Sequence, residues 1–197
     1  MTESTGRRER KKAQTRQSLA DAALELFLER GYDQVGVKDI ADRADVSVTT
    51  LFKHFSGKEA LVFDQEDDQE AGLVAAVRDR PPGRTIPQAL REHLLLAQTR
   101  FAVQAADPRF GDFQRMVRDT PALSDYSHRM WMRHEAALAG AIAEAVGAPA
   151  DDIGCAALAR FALESRTLIQ RHAEPRRAAD EAFALLEHGW AAAHPDS

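Results

Sequence analysis

Apolar residues recur at helical spacing along almost the whole chain, and no convincing run of the alternation typical of strands occurs. Early in the chain, Leu19, Ala23 and Leu26 fall on one helical face, and Gly31 follows as a residue suited to end a helix. The pattern predicts an all-α protein. Its first helix is expected over roughly residues 10–30.

Several helix boundaries are predicted within the next 30 or so residues. A short second helix is expected over 37–44, and Asp45 then gives a tight turn because aspartate tolerates a left-handed conformation. Ser47 is a good N-cap for a third helix that runs through His54. Two short helices joined by a tight turn predict a helix-turn-helix, whose second helix can enter the major groove of DNA.

The remainder of the chain is divided by proline and glycine. Ser56 and Glu59 form a predicted capping box that opens a long fourth helix, and we expect the N-terminal domain and the rest of the protein to share this helix. Five breaks follow, so that five more helices and a total of about nine are predicted. The breaks lie at 79–83, 107–108, 120–121, 147–149 and 174–175.

Charge is distributed unevenly. The net charge of −5 would argue against a nucleic-acid binder if it were uniform along the chain. However, residues 1–60 carry 11 Lys/Arg against 10 Asp/Glu, whereas residues 61–197 carry 15 against 21. Within residues 7–16 there are six basic side chains and one acidic one, Glu9. The positive charge is therefore concentrated where it could meet a phosphate backbone.

Other classes of protein are disfavoured. The single cysteine, Cys155, can form neither an intramolecular disulfide nor a thiolate zinc site, and no HExxH motif, Gly-rich phosphate loop or nucleophile elbow is present. His134 and Glu135 are adjacent, and adjacent helical positions point apart. We therefore expect no enzyme, metal or cofactor. Without a signal peptide or an apolar run of membrane-spanning length, a soluble, cytoplasmic protein is expected.

Residues 23–61 read ALELFLERGYDQVGVKDIADRADVSVTTLFKHFSGKEAL and closely resemble the DNA-binding signature of TetR-family regulators. The resemblance implies a three-helix helix-turn-helix domain with its basic arm over residues 1–57. A helical effector-binding and dimerisation domain would follow over 58–197. It also implies a ligand-responsive regulator, by the family's usual mode a repressor.

The exposed start of the third helix supplies the best candidates for contacts with base edges or nearby phosphates. Lys58, at the N-terminus of the fourth helix, is the strongest candidate for a phosphate contact. In three places the chain departs from the family pattern: Gly36 replaces a frequent threonine, Thr49 a frequent glycine and Phe52 the usual tyrosine. The predicted DNA contacts are Lys38, Ser47, Val48, Thr49, Thr50, Phe52, Lys53, His54 and Lys58.

Few base contacts are available in one domain, so useful specificity requires two copies on a pseudo-palindrome. The resemblance suggests that the last two helices pair with their copies as a four-helix bundle. The alternative is that they only close the core of the monomer. The predicted dimer contacts are Phe183, Leu186 and Trp190.

A responsive repressor also needs an effector site, and a mixture of methionine and aromatic residues suits an adaptable apolar pocket. An ordinary core explains the same residues equally well. Acidic residues such as Glu66 and Glu70 favour a lipophilic cation slightly over an anionic acyl thioester. The predicted contacts with a small lipophilic effector are Phe101, Phe113, Met116, Met130, Trp131 and Phe161.

The alternative function is that of a helical adaptor that binds proteins and not DNA. An adaptor accounts for a helical bundle. It leaves unexplained why a basic arm is followed by a capped short helix. The sequence therefore favours a homodimer that binds double-stranded DNA.

Overall fold

The computed structural model describes residues 3–189 and, for side chains, residues from Gly6 onward. Within that range the chain is helical without a strand, which confirms the all-α prediction. The ten helices are α1 (Glu3–Arg30), α2 (Val37–Arg43), α3 (Val48–His54), α4 (Lys58–Val62), α5 (Glu66–Arg78), α6 (Ile86–Ala105), α7 (Pro108–Asp119), α8 (Pro121–Val146), α9 (Ile153–Arg171) and α10 (Pro175–His188), with a 3-10 turn at Tyr32–Gln34.

The predicted signals at the ends of the short helices are confirmed. Gly31, with φ of 83°, ends α1, and its N–H donates to the carbonyl of Phe27 at 2.9 Å. Asp45 has φ of 53° in the turn between α2 and α3. The Ser47 hydroxyl accepts a hydrogen bond from the N–H of Thr50 at 3.1 Å, as expected of an N-cap.

The prediction of one long fourth helix is wrong. The segment forms the short helix α4, then a turn over residues 63–65, then α5. The N-cap of α4 is Gly57 and not Ser56, so the predicted capping box at Ser56 is wrong as well.

Contacts in the turn after α4 explain the interruption. The Phe63 ring stacks on Tyr126 with 5.4 Å between ring centroids. The carbonyl of Asp64 accepts a hydrogen bond from Arg16 Nη2 at 2.8 Å. Three acidic residues then open α5, where the N-terminal end of the helix dipole favours negative charge: Glu66, Asp67 and Asp68.

The chain divides into two compact units, and α8 contributes residues to both. The first unit comprises residues up to Gln65 together with Pro108–His128. The second comprises Glu66–Asp107 together with the residues from Arg129 onward. The functional division predicted between residues 57 and 58 remains a prediction.

Each unit has its own apolar core. In the first, α1, α2, α3 and α4 bury side chains around Leu26, Phe27 and Ile40. In the second, α5, α6, α8, α9 and α10 enclose a core that includes Leu90 and Leu138, both fully buried. Across residues 3–189, no helix is long and apolar enough to cross a bilayer.

Candidate nucleic-acid interface

The helix-turn-helix is held together by a small set of fully buried side chains. Ile40 and Ala41 of α2 and Leu51 of α3 each have 0% of their surface exposed. Burial of Leu51 fixes the rotation of α3 about its own axis, because neighbouring positions on a helix point in different directions. The face of α3 opposite Leu51 is consequently turned toward solvent.

Four of the predicted DNA contacts on α3 and its cap are exposed, and three more, including Val48, which packs against the core, are partly buried. Ser47, Thr49, Phe52 and Lys53 are exposed, while Val48, Thr50 and His54 are partly buried. The structure thus brings these seven residues together on one short helix and its cap. We call them the α3 face. Their hydroxyl, ammonium and apolar groups can meet phosphates, base edges and thymine methyl groups respectively.

Two of the hydroxyls on the α3 face already hydrogen bond to each other. Ser47 Oγ lies 2.9 Å from Thr50 Oγ1, and Ser47 also caps the helix. Thr49 lies between them in the first helical turn and is exposed. Among the hydroxyls of the α3 face, that of Thr49 is therefore the one most open to a DNA contact.

Phe52 is an exposed aromatic residue on the same face. The residue has 53% of its surface in solvent, which is high for a large apolar side chain. A single exposed apolar side chain is common on protein surfaces. Here, however, it projects from the helix that carries the other candidate contacts, where a thymine methyl group could cover it.

Arg16 joins the basic end of α1 to the end of α3. Its guanidinium donates to the carbonyl of His54 at 2.7 Å and to that of Asp64 at 2.8 Å, and it lies 4.3 Å above the Phe55 ring. Sequence reasoning counted Arg16 among the basic residues but missed this anchoring role. Because these partners are far from Arg16 in sequence, residue spacing gave no signal for them.

The positive charge near the end of α3 comes from basic residues of α1 and not from His54. The pKa of His54 is lowered by partial burial and then by the nearby charges of Lys12 and Arg16. His54 is therefore uncharged at neutral pH. Lys12 is exposed on α1 and supplies positive charge near this end of α3.

The other predicted phosphate contacts, Lys38 and Lys58, already have partners within the protein. The Lys58 ammonium donates to the carbonyls of Tyr32 and Val35 at 2.8 and 3.2 Å and lies 3.9 Å above the Tyr32 ring. Lys38 is exposed and pairs with Asp42 at 2.5 Å, and this pairing raises the pKa of the ammonium. Lys58 thus connects the start of α4 to the turn after α1, and a phosphate would have to compete with two carbonyls.

The predicted effector contacts are distributed between the two units. Phe113 and Met116 pack against the core of the first unit, while the other four belong to the second unit. Met130 is buried, whereas Phe161 is 55% exposed. The second unit has clefts of about 430 Å³ and 250 Å³, and none of the six residues lines either of them.

The predicted dimer contacts also differ in exposure. Phe183 is 2% exposed and lies in the core of the second unit, and Leu186 packs partly buried against the same core. Trp190 lies outside the described residues.

The exposed apolar surface of the last helices lies on α9. On α9, Ile153, Phe161 and Leu168 are 85%, 55% and 63% exposed. Phe161 and Leu168 are seven residues apart, so they share one helical face. We call these three residues the α9 stripe. The predicted pairing of the last two helices with their copies includes α9, whereas Phe161 itself was also predicted to contact the effector.

Comparisons with known proteins agree with this geometry. Residues 19–64 match the family model described as "Bacterial regulatory proteins, tetR family". The transcriptional regulator TcmR of Streptomyces glaucescens is 32% identical over 151 residues, which cover 75% of this chain and 67% of the relative.

Solved structures show the same fold at lower identity. A TetR-family regulator of Streptomyces coelicolor aligns with a TM-score of 0.57 at 18% identity and covers 89% of this chain and 93% of its own. FadR of Thermus thermophilus, a TetR-family repressor in complex with lauroyl-CoA, aligns with a TM-score of 0.52 at 22% identity and covers 89% and 94%. The chain belongs to the TetR family and is a DNA-binding transcriptional regulator, not an enzyme.

Proposed function

We propose that the protein is a dimeric repressor that binds a pseudo-palindromic operator through the α3 face and is released by a small effector with an apolar body. The observation that carries the proposal is that four residues of the α3 face are exposed while Leu51 beside them is buried. The recognition helix of a helix-turn-helix enters the major groove in this orientation, with its N-terminal residues at the base edges.

Within this proposal, Thr49, Phe52 and Lys53 make the principal contacts with DNA. The exposed cations of the α1 arm, including Lys11 and Lys12, bind flanking phosphates. Ser47, Val48, Thr50 and His54 complete the surface. Lys38 and Lys58 contribute less than their position in the sequence suggested, because each is already paired.

Dimerisation is proposed through the α9 stripe together with Leu186 of α10. Three large apolar side chains exposed on one helix lose contact with water when a second copy covers them. Phe183 is left out of this surface because its side chain is buried. Two copies also supply the two recognition helices that a specific operator requires.

Substitution of both Phe161 and Leu168 by glutamate is expected to separate the dimer. Four carboxylates would then face one another across the interface, and burial of a charge without a partner is strongly unfavourable. We expect sedimentation equilibrium to show a monomer at micromolar concentration. Operator affinity should fall at least tenfold, because each recognition helix would bind alone.

Val103→Glu provides the matched control, since Val103 on α6 is 72% exposed and lies outside the α9 stripe. This variant should remain dimeric and keep its affinity for DNA. A dimer in the doubly substituted protein would contradict the proposed interface.

Two observations support the proposed response to an effector. One is a ligand bound to a solved structure of the same fold, and the other is the composition of the second unit. FadR of Thermus thermophilus shows that this fold can hold a small ligand with an apolar tail. A ligand releases DNA only if it binds the DNA-incompetent state more tightly than the competent one. The proposal includes no movement passed along one continuous fourth helix, because α4 and α5 are separate helices.

A further inference from the structure

The second unit contains polar atoms that are buried without a hydrogen-bond partner. His134 on α8 is 2% exposed, and its Nδ1 atom has no partner among the described residues. Arg166 on α9 has a buried Nε atom that is likewise without a partner in this part of the chain. Such groups are rare in folded proteins, because leaving a buried polar atom without a hydrogen bond is unfavourable.

These two residues meet around one aromatic ring. The Arg166 guanidinium lies 3.9 Å above the centre of the Trp131 ring. His134 meets the same ring in a T-shaped arrangement with 5.1 Å between centroids. We call Trp131, His134 and Arg166 the α8–α9 cluster. It places one cation and one imidazole against the same apolar ring.

The charge of the α8–α9 cluster is positive. Burial lowers the pKa of His134, and the opposing effects of Glu70 and Glu66 are smaller, so that the imidazole is neutral at neutral pH. Burial also lowers the pKa of Arg166, but an arginine stays charged in proteins.

None of the neighbouring carboxylates that the structure describes forms an ion pair with Arg166. Glu66 pairs with Arg133 at 3.1 Å, and Glu135 pairs with Arg160 at 3.0 Å. Glu164, the carboxylate that acts on the Arg166 pKa, is exposed two residues away on the same helix. Within the described residues no carboxylate lies within 4.0 Å of the Arg166 guanidinium.

We propose that the α8–α9 cluster is the anchor of the effector site and that the effector is an organic carboxylate with an apolar body. A carboxylate supplies the acceptor that Arg166 Nε lacks and the negative charge that a desolvated guanidinium requires. The apolar body packs beside the Trp131 ring, which already contacts the guanidinium. This inference rests on the proposed function, and it reverses the preference for a cation that the acidic residues of α5 suggested.

The test compares ligand pairs that differ in charge. Isothermal titration calorimetry of the full chain without DNA would measure binding of 2-naphthoate against 2-naphthylmethylamine and of octanoate against octylamine. We expect at least one carboxylate to bind about 10- to 100-fold more tightly than its amine, as a hydrogen bond between charged groups allows. Equal or weaker binding of both carboxylates would overturn the proposal.

Variants at Arg166 distinguish a role in binding the effector from a role in stabilising the fold. Arg166→Met should lose the preference for the carboxylate, Arg166→Lys should retain part of it, and Arg171→Met, at an exposed position of the same helix, should keep it. Arg166→Met should unfold at no lower temperature than the wild type, because it removes a buried charge without a partner. Unchanged carboxylate binding in Arg166→Met would contradict the anchor.

The effector response is measured separately. Fluorescence anisotropy with an operator duplex shows whether the bound carboxylate releases DNA. Binding that depends on Arg166 without release of DNA would leave the anchor intact and contradict the proposed response.

Discussion

Thr49→Glu is expected to reduce operator affinity by at least about 30-fold while leaving the fold intact. Thr49 is exposed in the first turn of α3, within the proposed DNA-binding surface. Loss of a base or phosphate contact costs about 1–3 kcal/mol in each recognition helix, and a dimer loses it twice. The new carboxylate also repels the phosphate backbone.

The fold should tolerate this change because a negative charge near the N-terminus of a helix is favourable. Fluorescence anisotropy with a duplex selected by the wild-type protein from a random library would measure the loss. Thr99→Glu, the same change at an exposed position of α6, serves as the control and should bind like the wild type. Equal affinity of Thr49→Glu and wild type would remove Thr49 from the interface.

Leu51→Ala is expected to destabilise the first unit by about 2–5 kcal/mol, the range measured for such truncations in packed cores. Leu51 is fully buried and packs in one core cluster with Ile40 and Ala41 of α2. Truncation leaves a cavity between the two helices of the helix-turn-helix. Operator binding should weaken as well, because the orientation of α3 depends on this contact.

Urea unfolding followed by circular dichroism would measure the effect, with the two units considered separately if two transitions appear. Leu96→Ala is the matched control, since Leu96 is 55% exposed and its truncation should change stability by less than about 0.5 kcal/mol. If Leu51→Ala were as stable as the control, Leu51 would not be the core contact described above.

The local structure of the helix-turn-helix could be predicted because its signals are local. Gly31, Asp45 and Ser47 each act through their own backbone or a hydrogen bond three or four residues away. A sequence pattern can predict such local interactions. The same holds for the proline and glycine breaks, which separate α5 from α6 and each later helix from the next.

The features that sequence reasoning missed depend on distant contacts. The break after α4 involves Arg16 and Tyr126, which are far from Asp64 and Phe63 in the sequence. The engagement of Lys58 with Tyr32 and Val35 likewise joins residues more than 20 positions apart. Helical periodicity alone does not carry this information.

Burial of aromatic residues was the hardest property to predict. Phe161 and Phe183 both lie in apolar helical runs, yet one is exposed and the other is buried. A helix that packs on its own core and also presents an apolar stripe is apolar on two sides, so its hydrophobic pattern does not tell the sides apart. Arg166 was missed for the opposite reason, because a lone arginine in a helix is usually solvated surface.

Methylation of a selected operator by dimethyl sulfate tests the central claim most directly. The reagent modifies guanine N7 in the major groove and adenine N3 in the minor groove, so a single experiment reports on both grooves. If the α3 face reads the major groove in a dimer, the protein should protect guanine N7 in two symmetry-related half-sites, and Thr49→Glu should abolish this protection. Protection confined to adenine N3, or to one half-site, would contradict the account.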